Sequence, residues 1–163
     1  MKFNEIEAFV FDFDGVLTDN SVLVNENGAE SVFCSRADGL AFEVLRTLKI
    51  PTYILSTEKN VVVEARSNKL KIEAIYGVGN KVESIEKLAQ NKGFKLHNVV
   101  FVGNDINDYK VMQCCGFTAC PSDAHIKIKE ICNIVLNSRG GSGVVRELLE
   151  DFFELDFIKI LYS

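Results

Sequence analysis

Short apolar runs of strand length alternate with helix-period patterns along nearly the whole chain, and this alternation constrains the fold more than any other feature. Ala8 to Phe13 is apolar and aromatic-rich, as expected of a strand buried on both faces. Thr52 to Leu55, Ala74 to Tyr76, Val99 to Val102, Phe117 to Ala119 and Ile134 to Leu136 read as further strands. Helical patterns cover Gly39 to Leu48, Asn60 to Leu70, Lys81 to Asn91, Tyr109 to Cys114, Ala124 to Ile131 and Val144 to Phe153. Such β–α alternation predicts an α/β fold, a Rossmann-like three-layer sandwich whose central parallel sheet is covered by helices on both faces. One insertion interrupts it. Val22-Leu23-Val24 and Ser31-Val32-Phe33 flank Asn25-Glu26-Asn27-Gly28, which predicts a β-hairpin within residues 20–35. It is too small for a second domain, so residues 1–163 are read as one domain.

With 47% hydrophobic and 25% charged residues, the composition is that of a globular protein. The formal net charge of −5 argues against a nucleic-acid partner, which calls for a basic face. An anionic substrate would therefore need local positive charge, from a metal or a well-placed lysine. No apolar run approaches the ~20 residues of a membrane span, and Met1 to Glu5 is no signal peptide, so a cytoplasmic protein without membrane contact is expected. The five cysteines lack C-x-x-C spacing and are expected to be buried free thiols. His97 and His125 have no partners at suggestive spacing and read as surface residues.

In open α/β sheets ligands bind outside the carboxyl ends of the strands, so the residues there carry the functional reading. The first strand ends in Asp12-Phe13-Asp14-Gly15, the second in Ser56-Thr57 and the fourth in Gly103-Asn104-Asp105-Ile106-Asn107-Asp108. Lys81 opens the helix after the third. Phosphoryl transfer requires an in-line nucleophile, compensation of charge on the transferring oxygens and a proton donor for the leaving group. A carboxylate serves as nucleophile by forming an acyl phosphate that water then hydrolyses. Asp12 sits at the strand tip. The two-residue period points Asp14 to the same side, and Gly15 lets the backbone turn away. Mg²⁺ needs one or two carboxylates plus substrate phosphate, which Asp12 and the segment around Asn104 and Asp105 can supply. Without a cation, two converging acidic clusters would be costly. Ser56 taken singly reads equally as a helix N-cap or a phosphate contact. Lys81 alone reads as a solvated first-turn lysine, but in company with Asp12 and Asp105 it reads as a site residue. Asp108 reads as orienting its neighbours.

Asp12-x-Asp14-Gly15-Val16-Leu17-Thr18-Asp19 after an apolar strand resembles the first motif of the haloacid dehalogenase superfamily, and Ser56, Lys81 and Gly103 to Asp108 fall in order where its other motifs belong. The short hairpin, Ser35 to Leu40, Leu55 to Asn60 and Arg139 to Glu147 look like its small, nearly capless branch, with a hairpin instead of a cap domain. That branch contains 3-deoxy-manno-octulosonate (Kdo) 8-phosphate phosphatases, 2-keto-3-deoxynononate 9-phosphate phosphatases and phosphatase-like domains attached to acylneuraminate cytidylyltransferases. The resemblance implies Asp12 as nucleophile and Mg²⁺ ligand, and Asp14 as general acid/base that also gives its backbone carbonyl to the metal. Ser56 and Lys81 would hold the phosphate. It further implies a homotetramer in which hairpins pack together and subunits contribute to each other's sites. Gly140-Gly141-Ser142-Gly143, before Arg146, would act as a flexible lid over a neighbouring site.

Two departures from the branch bear on chemistry. Kdo 8-phosphate phosphatases usually read Gly-Asp-Asp where this chain reads Gly103-Asn104-Asp105; an amide oxygen ligates Mg²⁺ without contributing charge. They often have Thr-Gly-Arg where this chain has Ser56-Thr57-Glu58. Glu58, with Arg66 and Lys69 following on the next helix, looks more like the nine-carbon 9-phosphate branch. Glu58 would accept from sugar hydroxyls, and Arg66 or Lys69 would meet the substrate carboxylate. Asp38 is placed at the mouth or as a cap of the following helix, and Arg146 is counted with Asp38, Glu58, Arg66 and Lys69 among the expected substrate-binding residues. The expected function is hydrolysis of a 2-keto-3-deoxy sugar acid phosphate, nonulosonate 9-phosphate ahead of Kdo 8-phosphate. The competing reading is a non-catalytic or weakly active tetramerisation or regulatory module of a sialic-acid cytidylyltransferase system, which Asn104 favours and the intact Asp12, Asp14, Ser56 and Lys81 oppose. A phosphoacceptor signalling domain is disfavoured, because such domains carry the acceptor aspartate on a middle strand.

Overall fold

The computed structural model describes residues 1–163. The chain begins with β1 (Ala8–Phe11), the hairpin strands β2 (Leu23–Val24) and β3 (Glu30–Ser31), α1 (Arg36–Thr47), β4 (Thr52–Leu55), α2 (Val62–Leu70) and β5 (Glu73–Ile75). It continues through α3 (Lys81–Lys92), β6 (Val99–Val102), α4 (Tyr109–Cys114), β7 (Phe117–Cys120), α5 (Ile126–Ile131), β8 (Ile134–Val135), α6 (Val144–Glu147) and α7 (Phe157–Tyr162). Six strands pair in parallel in the order β5-β4-β1-β6-β7-β8. The strand order reverses between β1 and β6, which makes that crevice the topological switch point. No helix is long and apolar enough to cross a membrane.

Strand periodicity divides the core in two. Phe9, Phe11, Ile54, Val100 and Val102 pack on one side of the sheet with α1, α2 and the C-terminal segment. Ala8, Val10, Tyr53, Leu55, Val99 and Phe101 pack on the other with α3, α4 and α5. Burial on both faces explains why these strands are apolar throughout rather than alternating. Pairing of Phe11 with both Ile54 and Val102 brings the carboxyl ends of β1, β4 and β6 to one level.

Three stretches differ from the sequence expectation. The hairpin pairs only Leu23–Val24 with Glu30–Ser31, and the returning chain makes one further isolated bridge, Cys34 with Thr18 in the loop after β1. The C-terminal helix is not continuous. After α6, Leu148–Phe152 widens into a π-type turn, which lets consecutive aromatic rings pack: Phe152 on Phe117 at 5.4 Å, and Phe153 on Phe9 at 5.9 Å and Phe3 at 5.5 Å. The tail adds α7, where Asp156 Oδ1 accepts from the Lys159 amide and Phe157 is buried beneath the Arg146 guanidinium at 4.5 Å. Six residues are too few for helical periodicity to stand out in sequence. The cysteines are free, but only Cys120 is buried and Cys114 is exposed, a correction to the expectation of buried thiols.

The segment Arg139 to Ser142 is docked on its own chain. Gly141 donates its amide to Val16 O at 3.0 Å, and Gly140 accepts no side chain because a Cβ there would overlap the backbone of Gly15 and Thr18. Downstream, Asp38 on α1 reaches across to α6, its Oδ1 accepting from the amides of Val145 (2.8 Å) and Arg146 (3.0 Å). The following helix is capped instead by Ser35, whose Oγ accepts from Ala37. Burial of Asp38, with Oδ2 left unpartnered, pushes its carboxyl up from the ordinary 3.8 to about 6, although the two amides and Arg66 oppose this.

Two outcomes follow from this packing. Gly140→Ala should lower stability by about 1–3 kcal/mol in urea titration, whereas Gly79→Ala, where a Cβ meets nothing within 4 Å, should be near neutral. Because folding raises the Asp38 carboxyl, its contribution is fully present below about pH 4 and is lost as pH rises through about 6. That loss amounts to at most about 3 kcal/mol. Asp38→Asn should flatten this slope in urea midpoints taken from pH 4 to 6.5.

Candidate active site

Strand ends β1, β4 and β6 and the first turn of α3 deliver the chemistry-bearing side chains. The centre is an ion triad. Lys81 Nζ lies 2.7 Å from Asp12 Oδ1 and 2.6 Å from Asp108 Oδ1, and all three side chains are at most 4% exposed. Lys81 is thus no solvated first-turn lysine. Asn80 Oδ1 caps α3 through the amides of Val82 and Glu83, which sets Lys81 at the helix start. Asp108 Oδ2 accepts from the Asn104 amide at 2.9 Å and folds the loop after β6 round itself. Gly103 permits this, since a Cβ there would lie 2.7 Å from the Asp108 carboxylate.

One ammonium serves two buried carboxylates, so one negative charge is uncompensated. Burial, then Asp108, push Asp12 well above the ordinary carboxylate range, against Lys81 and the Phe13 amide. Burial pulls Lys81 down, but Asp12 and Asp108 outweigh it and hold the ammonium above its usual value. Asp14 is half-buried and also raised, first by burial and then by Glu58 and Glu30, against Lys81. A carboxyl that keeps its proton is suited to protonate a leaving group.

Above the triad, a cleft of about 310 Å³ is lined by Asp12, Asp14, Asn20, Thr57 and the Asn104 to Asn107 turn. Asp12, Asp14, Asn104 and Asp105, the residues read as metal-binding from sequence, therefore share one cavity. Gly15, at φ +77°, passes directly under the Asn104 amide, where any Cβ would collide with it. Asp105 Oδ1 also accepts from the Ile106 amide at 2.7 Å. No three His, Cys, Asp or Glu side chains cluster with metal-holding geometry. The candidate donors are instead mixed, the carboxylates of Asp12, Asp14 and Asp105 with the amide oxygen of Asn104. With the uncompensated charge beneath them, they suit a hard cation that needs few carboxylates and retains water, as Mg²⁺ does.

Ser56 is buried and does not cap α2; the Val62 amide is taken by Asn60 Oδ1. Its Oγ accepts from Glu58 N at 3.1 Å, leaving the hydroxyl hydrogen to donate. The residues read as sugar-acid contacts are not brought to the cleft. Glu58 turns Oε1 back to the amides of Lys59 (2.6 Å) and Asn60 (2.8 Å). Arg146 is paired with Glu150, and Asp38 is spent on α6. Arg66 and Lys69 open with Arg36 and Arg46 into a separate groove of about 490 Å³ between α1 and α2. Sequence reading missed Asn20, Thr57 and Asn107 as lining residues. Thr57 and Asn107 stand beside singled-out positions, and only folding reveals that they face inward. Thr18 was missed as a support: buried, it accepts through Oγ1 from the amides of Gly15 and Asn20, both at 3.2 Å.

Comparison with known proteins agrees with this geometry. The profile of the haloacid dehalogenase-like hydrolases matches residues 41–148, more than half of the chain. The 3-deoxy-D-manno-octulosonate 8-phosphate phosphatase KdsC of Salmonella typhi is 31% identical over 150 residues, covering 91% of this chain and 80% of that protein. The same phosphatase from Moraxella catarrhalis, solved with a magnesium ion, a phosphate ion and Kdo, superposes with a TM-score of 0.86 at 25% identity, covering 96% and 87% of the two chains. A cobalt-bound deoxy-D-mannose-octulosonate 8-phosphate phosphatase from Haemophilus influenzae superposes with a TM-score of 0.87 at 25% identity, covering 98% and 91%. The chain accordingly belongs to the haloacid dehalogenase-like hydrolases, in the branch of the 3-deoxy-D-manno-octulosonate 8-phosphate phosphatases, and is a phosphatase.

Proposed function

We propose that the chain hydrolyses the phosphomonoester of a 2-keto-3-deoxy sugar acid through an aspartyl-phosphate on Asp12, with nine-carbon 9-phosphates preferred over Kdo 8-phosphate. The observation that carries the mechanism is the Asp12–Lys81 contact of 2.7 Å beneath a cleft that Asp14 shares. An Asp12 oxygen attacks phosphorus as the ester oxygen leaves, and Asp14 gives that oxygen its proton. Asp14, now ionised, takes a proton from water as the water oxygen attacks the aspartyl-phosphate, releasing phosphate and restoring Asp12. Lys81 holds Asp12 in line, and the Ser56 hydroxyl donates to a phosphate oxygen. Asp12, the Asp14 carbonyl, Asn104 and Asp105 would hold Mg²⁺, which would supply charge neutralisation of the transferring oxygens.

The nine-carbon preference rests on Ser56-Thr57-Glu58 standing where Kdo 8-phosphate phosphatases often have Thr-Gly-Arg, and it requires Glu58 to leave the Lys59 and Asn60 amides when substrate binds. The groove holding Arg66 and Lys69 is distinct from the cleft of the same chain, so these residues serve a neighbouring subunit's substrate carboxylate. A homotetramer built through the hairpin accommodates this: Val22, Leu23, Val24 and Phe33 are all exposed, Phe33 by 73%.

Phosphate release with millimolar Mg²⁺ from Kdo 8-phosphate, ketodeoxynononate 9-phosphate and N-acetylneuraminate 9-phosphate tests the reading. A nine-carbon substrate should lead by about tenfold in kcat/KM, and Asp12→Asn should lower kcat by about a thousandfold or more. Asn104→Asp should lower the Mg²⁺ concentration for half-maximal rate by roughly tenfold, by adding a charge at the site. No turnover on any of the three would overturn the proposal. Sedimentation velocity should give a tetramer that Phe33→Glu reduces to smaller species; an unchanged tetramer would place the interface elsewhere.

A further inference from the structure

The chain leaving β8 returns to the loop after β1, although β6 and β7 lie between these strands in the sheet. On the way it rests on the loop after β7. Ser122 donates its amide to Ser138 O at 2.9 Å, and Asp123 Oδ1 accepts from the Gly140 amide at 2.9 Å. Gly140 is also the residue that lies flat on the loop after β1, where Gly15 O and Thr18 O take the space a Cβ would need. Its neighbour Gly141 bonds to Val16 O at 3.0 Å. The loop after β7 has a second attachment, the His125 amide donating to Asn104 O at 2.8 Å. Gly15 in turn packs under the Asn104 side chain. The contacts therefore close a ring, from the loop after β1 to those after β6 and β7, through the glycine-rich segment and back.

Backbone atoms and glycines without side chains make most links of this ring. Asp123 makes the link at Gly140 with a side chain, and from outside the site, since it does not line the cleft. Its other oxygen meets Arg139 Nε at 3.2 Å, but the Arg139 side chain is 77% exposed, and such a pair adds little. The bond to the amide is the one that sets position. A carboxylate accepting from a backbone N–H makes a charge-assisted bond. Here that bond fixes how closely Gly140 approaches the Gly15 peptide, which adjoins Asp14. Misplacing a reacting group by about 1 Å costs up to about a hundredfold in rate. We propose that Asp123 is a positioning residue for Asp14: it holds Gly140 against the loop after β1 and so keeps the Asp14 carboxyl aimed at the leaving oxygen. This role rests on the proton donation by Asp14 proposed above and extends it to a residue of the loop after β7.

Leaving-group dependence separates the aim of a proton donor from general loosening of the fold. A sugar alkoxide needs a proton to leave, whereas p-nitrophenolate leaves without one. The ratio kcat/KM reports the transfer to Asp12 alone, because that step expels the alcohol. It is measured at saturating Mg²⁺ for p-nitrophenyl phosphate and for whichever sugar acid phosphate the unmodified protein turns over fastest. Asp123→Ala should lower the sugar acid value by about tenfold and the aryl value by less than about twofold. Asp123→Asn keeps an oxygen for the Gly140 amide and loses only the charge toward Arg139, so both values should return to those of the unmodified protein. Asp123 is exposed, so neither variant disturbs the core. Amide hydrogen exchange over residues 14–20 should quicken in the alanine variant and recover in the asparagine one. Equal losses on both substrates, no loss on either, or unchanged exchange in the alanine variant would overturn the positioning role and leave the mechanism intact. Asp14→Asn is the reference and should show the same substrate split more steeply. Equal losses there would overturn the proton-donor role itself, and the positioning role with it.

Discussion

Lys81 Nζ meets Asp12 and Asp108 where water is excluded, and several parts of the chain must agree for that contact to exist. Register between β1, β4 and β6 sets the height of the strand ends, and the Asn80 cap sets the start of α3. A bare Gly103 admits the Asp108 carboxylate against the backbone. Removing one partner of such a buried arrangement leaves an unpaired charge, at a cost of several kcal/mol. The same carboxylate that holds the lysine also gathers the Asn104 amide, so the electrostatic centre and the geometry of the loop after β6 are one structure. The site is therefore preorganised before any ligand arrives.

A second layer holds the loop that carries Asp14. Thr18 ties the amides of Gly15 and Asn20, and Gly15 lies against Asn104 so closely that the loops after β1 and β6 interlock. The glycine-rich segment presses on this loop from the outside, Gly141 bonding to Val16 and Asp123 Oδ1 accepting from the Gly140 amide at 2.9 Å. Glycines read from sequence as hinges of a mobile lid act here as close-approach residues. Their lack of a side chain brings one backbone onto another, and Asp38 then fixes the start of α6 behind them.

The sheet was legible because both its faces are buried. Val99–Val102 is apolar at every position and Thr52–Leu55 at all but Thr52, which gives strands that no surface pattern obscures, and their observed ends match the sequence reading. The hairpin strands are exposed and short, so turn chemistry located them while their pairing depended on the Thr18–Cys34 bridge, which sequence does not encode locally. At the site, Asp12, Asp14, Lys81 and Asn104 were legible because strand ends converge by topology alone. The sugar-acid contacts were not, because their side chains depend on local competition. Glu58 finds two backbone amides within its own turn, and Asp38 finds two across the fold, before either can face a ligand. Short acidic side chains beside unsatisfied amides commonly resolve this way.

Charge is separated by depth and by side rather than averaged over an acidic surface. A chain of net charge −5 that handles a doubly anionic substrate cannot rely on its mean potential. Particular cations are placed instead: Lys81 at the floor, and Arg36, Arg46, Arg66 and Lys69 beside the one carboxylate Glu43 in the α1–α2 groove. The wall of the main cleft is left acidic, so on the proposed function a divalent cation there would be a condition of phosphate binding, and Asn104, which carries no charge, leaves the wall less acidic than an aspartate in its place would. Because the floor and the α1–α2 groove are distinct cavities, the tetramer proposed above would match the phosphate and the carboxylate of a sugar acid phosphate with two positive regions from two copies of the chain, and assembly and catalysis would then be linked by the placement of these few cations.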